Sequence, residues 1–230
     1  MNTKTFLSSR FPSFVKKWKK YYRKFKQVDS WYITSDYCLD DKTKTNDVMT
    51  FTVFPLIPPY VLREDIKHYL PQDIKKFKNI SETALNYIKE SPYFFSMAFL
   101  IKDKNSIFKL EENKRLLDNA IERMERWPEK KKEEFIHKMK SFRNYLNRKE
   151  IDVKILSDIG VTVHIMSAII EFLLIKTNTK HILWISDRDK ITDFQDGIVH
   201  QLIRLCYSNL LKKRVPDHEV YGFIESKQYD

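Results

Sequence analysis

The sequence predicts an α/β protein: a mixed sheet of about five strands with helices on both faces. Three observations predict it. Early in the chain stand three strand-like runs, WYITSDYCL from Trp31, DVMTFTVFPLI from Asp47 and YFFSMAFLI from Tyr93, all rich in β-branched and aromatic residues. From Leu110 onward, long helical periods alternate with two short apolar runs, Ile151 to Leu156 and Lys180 to Ile185. After the second of these the period switches: Val199, Leu202, Ile203, Cys206 and Leu210 recur at helical spacing. Four acids, Asp187, Asp189, Asp193 and Asp196, fall at that switch, and strand ends are where open α/β sheets place their ligands.

The elements follow in order. Residues 1–28 are read as a separate basic, aromatic helix. Pro12 opens it, Phe14, Trp18, Tyr21, Tyr22 and Phe25 share a face, and Lys16, Lys17, Lys19, Lys20, Arg23, Lys24 and Lys26 cover the rest. Basic residues interleaved with aromatics suit phosphate contacts with base stacking, which makes Lys16, Lys17, Trp18, Lys19, Lys20, Arg23 and Lys24 the candidate nucleic-acid contacts. An interfacial membrane helix is the less favoured reading of the same stretch, and packing of the aromatic face on the body is a third. Residues 29–214 form the α/β domain. In its first strand Tyr32, Thr34 and Asp36 lie on one face and Ile33, Ser35 and Tyr37 on the other. An acid is disfavoured inside a strand, so Asp36 stands out. The polar turn 40–46 makes the first two strands a hairpin. Helices are expected over 61–90 in two pieces, over Leu110–Trp127 (stopped by Pro128), over Glu129–Arg148, over Val161–Lys176, and as one long closing helix from about Asp193 to Lys213 with Asp193 as its cap. The tail, 215–230, either adds an edge segment through Val220–Ile224 or docks on the sheet.

Composition bounds the function. The 230 residues are 42% hydrophobic and 14% aromatic, enough for a real core. Lys plus Arg number 42 against 31 acids, a formal charge of +11 that favours nucleic acid first and an anionic membrane surface second. Three scattered glycines exclude a Walker loop and a G-x-G-x-x-G cradle. Cys38 and Cys206, far apart, argue against a zinc site or a disulfide scaffold and fit a reducing cytoplasm. The first residues show no secretory pattern, and the most apolar run, Ile165–Ile175, is too short to span a bilayer. Asp187-Arg188-Asp189 after an apolar strand also suits a haloacid-dehalogenase-like phosphatase, but too little chain follows it. A toprim-like site, which also uses D-x-D after a strand, is a weak runner-up because no clear strand-ending Glu-Gly is seen, and a glycosyltransferase lacks a legible nucleotide site.

The order of elements, with Asp36 in the first strand, Asp187 and Asp189 at the end of the last core strand, Asp158 after the fourth and Asp196 within FQDGIVHQL, resembles the RNase H-like (retroviral-integrase-like) superfamily, and most nearly its uncharacterised bacterial branches. The resemblance implies a cluster of carboxylates from the first strand, late strand ends and the last helix. It makes Asp36, Asp187, Asp189 and Asp196 the expected catalytic residues and Asp36, Asp187, Asp196 and Asp158 the expected ligands of Mg²⁺ or Mn²⁺. Hard cations prefer such oxygens. Two of them about 4 Å apart activate water and stabilise the leaving oxygen of a phosphodiester. The expected function is therefore a metal-dependent nuclease or related phosphoryl-transfer enzyme. The alternative is a basic, non-catalytic nucleic-acid-binding adaptor with the same body. His200, four residues after Asp196, is a candidate to assist the site.

Overall fold

The computed structural model describes residues 12–57, 59–70, 80–102, 108–126, 132–186, 189–211 and 223–225. Its centre is a mixed sheet in the order β3-β2-β1-β4, built from β1 (Ser30–Cys38), β2 (Asp47–Pro55), β3 (Phe95–Ile101) and β4 (His181–Ser186). β1 runs antiparallel to β2, and β2 to β3, while β1 and β4 are parallel. A three-residue segment of the tail, β5 (Phe223–Glu225), pairs in parallel with the far side of β4, so the tail takes the edge-segment option.

Side-chain alternation decides the two faces. Trp31, Ile33, Met49, Phe51, Val53, Met97, Ile182 and Trp184 are buried on one of them. Tyr32, Thr34, Thr50, Thr52 and Phe54 are half-buried on the other, where Asp36, Ser96, Ala98 and Leu100 are exposed. The first face carries the core. Helices α4 (Leu110–Glu125), α5 (Lys132–Tyr145), α6 (Val153–Lys176) and α8 (Ile198–Leu211) contribute Leu117, Met124, Met139, Phe142, Met166, Leu173 and Val199 to the same buried cluster. Burying each such side chain contributes ~2 kcal/mol relative to leaving it in water. The expectation of helices on both faces is met only in part. On the second face α2 (Pro59–Tyr69) reaches the Tyr32/Phe54 end, and α3 (Glu82–Glu90) holds α2 by stacking Tyr87 on Tyr69 at 4.6 Å. Beyond that end the face carries Thr34, Thr50, Thr52, Asp36, Ser96 and Ala98, with Leu100 at the β3 end, and so offers little apolar area for a helix to cover.

Helix α1 (Pro12–Tyr22), followed by the 3₁₀ turn Arg23–Phe25, belongs to this core. Trp18 is 1% exposed and meets Phe95 of β3 and Phe172 of α6 edge-on at 4.8 and 5.2 Å. The Tyr21 hydroxyl reaches the carbonyl oxygens of Val53 and Tyr93 at 3.0 and 2.9 Å. The expectations of Trp18 as a base-stacking residue and of a free interfacial face are therefore corrected: Trp18 and Tyr21 face inward and are buried in the core. Lys16, Lys17, Lys19, Lys20, Arg23 and Lys24 are all exposed.

Two further elements depart from the sequence reading. Ile151–Leu156 is not a strand. Asp152 caps a helix there, its Oδ1 accepting from the Ile155 amide at 3.0 Å, and α6 runs unbroken through Gly160 to Lys176. The buried set Leu156, Ile159, Val163, Met166, Ile170 and Leu173 keeps one helical stripe, which overrides a short alternation. The merged helix is long and apolar enough over Val153–Leu174 to cross a membrane by length and composition, yet most of it is buried inside the protein. The closing helix is also divided. A single turn, α7 (Lys190–Asp193), precedes a loop in which Gln195, Asp196 and Gly197 take φ of 47°, 55° and 74°, and α8 starts only at Ile198. Three left-handed residues in succession cannot continue a right-handed helix.

Candidate metal and nucleic-acid site

The parallel pairing of β1 with β4 ends at Ser35 opposite Ser186, and each serine immediately precedes an acid, Asp36 or Asp187. The two serines are locked together. Ser35 Oγ donates to Ser186 Oγ at 3.1 Å and accepts from the Trp184 indole Nε1 at 2.9 Å and from the Tyr37 hydroxyl at 2.8 Å. This network lies on the helix-covered face. Burial pushes the Tyr37 hydroxyl well above the usual tyrosine range, and the nearby Asp189 carboxylate adds to the shift against the hydrogen bond to Ser35. The group stays a neutral donor at any ordinary pH. Its effect is to pin the strand ends that lead to Asp36 and Asp187.

Asp36 itself leaves the strand on the open face, opposite Thr50 of β2, and is exposed. Solvent exposure leaves both carboxylate oxygens open to a cation, with no large desolvation cost to overcome. Asp187 lies outside the described residues.

The other expected ligands are accounted for differently. Asp189 caps the single turn α7, and Asp193, expected to cap the closing helix, lies inside that turn, five residues before α8 begins. The Asp189 Oδ1 accepts from the Ile191 and Thr192 amides at 2.7 and 2.9 Å, and its own amide donates to Thr192 Oγ1 at 3.0 Å, a capping box around α7. The left-handed loop of Gln195, Asp196 and Gly197 then separates α7 from α8. Asp193 is exposed in α7, and Asp196 is exposed in the left-handed loop instead of the first turn of the closing helix. Asp158 sits inside α6, 4% exposed, one turn before Thr162. The Thr162 hydroxyl donates to the Asp158 carbonyl at 2.9 Å and to Met49 Sδ at 3.8 Å, on the covered side of the sheet. Alternation in β1 turns Asp36 to the opposite side, so Asp158 and Asp36 are not brought together. Among the described residues no three Asp, Glu, His or Cys side chains gather as a metal site. His200 packs its ring on Trp184 at a centroid distance of 4.9 Å, near the serine network. Burial raises the Cys206 thiol above its usual range, which suits an inert core residue on the α8 face near Ser167.

Residues 31–38 alternate as expected, with Ser35 and Tyr37 on the Ile33 face, but the network that joins them to Trp184 and Ser186 is not legible in the sequence. Ser35, Tyr37 and Ser186 carry no motif. The available signal was two serines, each one place before an acid at a strand end. A second missed feature lies on the open face, where Tyr32 and Phe54 pair their rings at 5.2 Å beside a cleft of about 300 Å³ against α2. No family model, curated protein or solved structure matches this chain.

Proposed function

We propose that this protein is a divalent-metal-dependent nuclease with an RNase H-like body. One observation carries the reading. β1 and β4 are neighbours, parallel, and paired up to Ser35 and Ser186, which supports a reading in which Asp36 and Asp187, the next residue in sequence after each, act together. Asp36 and Asp187 are the residues that would hold Mg²⁺ or Mn²⁺, with the exposed Asp196 as the third candidate. Asp189, held by its cap, and Asp158, on the covered side, fit that group poorly. When bound, the cation supplies an activated water and charge neutralisation at the phosphodiester. The chain's own part is to fix the two strand ends through the Ser35–Ser186 bond and to hold the nucleic-acid backbone with the lysine face of α1.

The test is cleavage of labelled single-stranded, duplex and RNA–DNA hybrid substrates in Mn²⁺ and Mg²⁺. Asp36→Asn and Asp187→Asn should each abolish cleavage while melting as the parent does. Cleavage that survives EDTA and both substitutions refutes the proposal.

The second reading is a non-catalytic nucleic-acid-binding module. The cationic surface of α1 favours it, because that surface needs no metal. A melting series separates the two. Mn²⁺ at a hundred times its Kd stabilises a metal-binding protein by ~2.7 kcal/mol and leaves a bare adaptor unchanged.

A further inference from the structure

The open face of the sheet is ordered in rows. Across β2 and β1, Phe54 pairs with Tyr32, Thr52 with Thr34, and Thr50 with Asp36. The first row is aromatic, the second carries hydroxyls, with Thr52 Oγ1 and Ser96 Oγ 2.9 Å apart, and the third carries the candidate carboxylate. The aromatic row borders the cleft of about 300 Å³, whose opposite wall is α2 with Leu62 and Ile66, and whose rim holds Arg63 and Lys67. Arg63, Ile66 and Lys67 are exposed, and Lys67 is within 3.6 Å of Glu64 at the surface. An apolar slot floored by two aromatic rings and edged by cations is complementary to a flat, anionic ligand more than to an aliphatic chain.

We infer that this cleft is a nucleobase-stacking subsite for single-stranded nucleic acid, with Tyr32 and Phe54 as the platform and Arg63 and Lys67 on the adjoining phosphates; the inference rests on the nucleic-acid reading above. Tyr32 and Asp36 are four residues apart on one strand, about 13 Å. The platform and the carboxylate can therefore engage the same strand a few nucleotides apart, with the Thr34/Thr52 row between them. The site thereby gives the open face its purpose. Among the described residues no helix covers these rows, which leaves them accessible to a substrate strand, and the preferred substrate is one whose bases are free to leave the stack, not an intact duplex.

The experiment is fluorescence anisotropy of a short labelled oligothymidylate, in EDTA so that nothing is cleaved, against the whole protein and its Tyr32→Leu, Phe54→Leu and Arg63→Ala variants. Base–aromatic stacking predicts ~10-fold weaker binding for each aromatic substitution. Arg63→Ala, on an exposed helix surface, gives a variant whose folding is not at stake and should also lose affinity. A bromouridine-substituted strand should crosslink to Tyr32 or Phe54. Equal affinity in parent and variants, or no binding by the parent, overturns the subsite. So does displacement of nothing by the oligonucleotide while dodecyl phosphate occupies the cleft. The two proposals fail separately. Affinity lost in the variants, with no metal-dependent cleavage by the parent, removes the nuclease and keeps the platform. Metal-dependent cleavage with an unchanged KM in Tyr32→Leu removes the platform and keeps the nuclease.

Discussion

Replacing Ser35 with alanine tests the architecture beneath the site. The Ser35 hydroxyl is the acceptor for two donors, Trp184 Nε1 at 2.9 Å and the Tyr37 hydroxyl at 2.8 Å, and the donor to Ser186 at 3.1 Å. Trp184 is 2% exposed and Ser186 9%, so water is a poor substitute at this depth. A buried polar group that loses its hydrogen-bond partner costs about 1–3 kcal/mol. Two donors lose an acceptor here, and one of them, the tyrosine hydroxyl, can rotate toward Ser186. The expected destabilisation is ~3 kcal/mol, a large part of the 5–15 kcal/mol typical of a domain but short of unfolding it. Urea titration followed by tryptophan fluorescence measures it. A double-mutant cycle with Trp184→Phe isolates the pair and should show a coupling of ~1 kcal/mol or more. A Ser35→Ala loss below ~1 kcal/mol, or strict additivity with Trp184→Phe, refutes the claim that this hydroxyl ties β1 to β4. If the tie also sets the position of Asp36, the variant's metal-dependent cleavage should recover in Ser35→Thr, which restores the hydroxyl, and stay low in Ser35→Val.

Other outcomes follow from the same fold. Burial raises the hydroxyl pKa of both Tyr21 and Tyr37 above that of an exposed tyrosine, so between about pH 10 and the folded-state values the native state retains protons that the unfolded chain has released. Stability from these groups is complete below pH 10 and falls as pH rises above it, and Tyr37→Phe should flatten that decline in pH-dependent melting. Asp189→Asn keeps a capping side chain but removes the charge, so it should leave both stability and any metal-dependent cleavage within a few-fold, whereas Asp189→Ala should cost ~1 kcal/mol by thermal melting. Trp18→Ala should cost ~3–5 kcal/mol, because the ring fills the space between Phe95 and Phe172. Joint substitution of Lys16, Lys17, Lys19 and Lys20 by alanine should leave the melting temperature nearly unchanged and lower the salt slope of oligonucleotide binding. Gly197→Ala should lose ~1–2 kcal/mol, since φ is +74° and a Cβ would stand 3.0 Å from the His200 ring.

The sequence alone determined the strands that alternate cleanly. In β1, β2 and β3 a period of two with β-branched and aromatic residues leaves no competing helix, and it says which set of side chains turns to one face. It also determined that Trp18 and Tyr21 share a stripe, that lysines surround them, and that acids cluster after β4. What it did not contain was the identity of whatever meets each face. Only the fold shows that the α1 stripe has Phe95 and Phe172 waiting for it, while the Tyr32–Asp36 side of the sheet stays largely open. Local signals of similar strength also competed. The sequence offered Asp193 as the cap of one long helix, but the left-handed residues Gln195, Asp196 and Gly197 divide that helix and Asp189 caps the short first piece. Ile151–Leu156 has an alternation that a strand would accept, but Asp152 and the stripe reaching to Leu173 supply a helix with more area to bury. The Ser35–Ser186 bond joins residues 151 positions apart, and no local rule reaches that far. Burial is a property of pairs of surfaces, and one chain segment specifies only its own half.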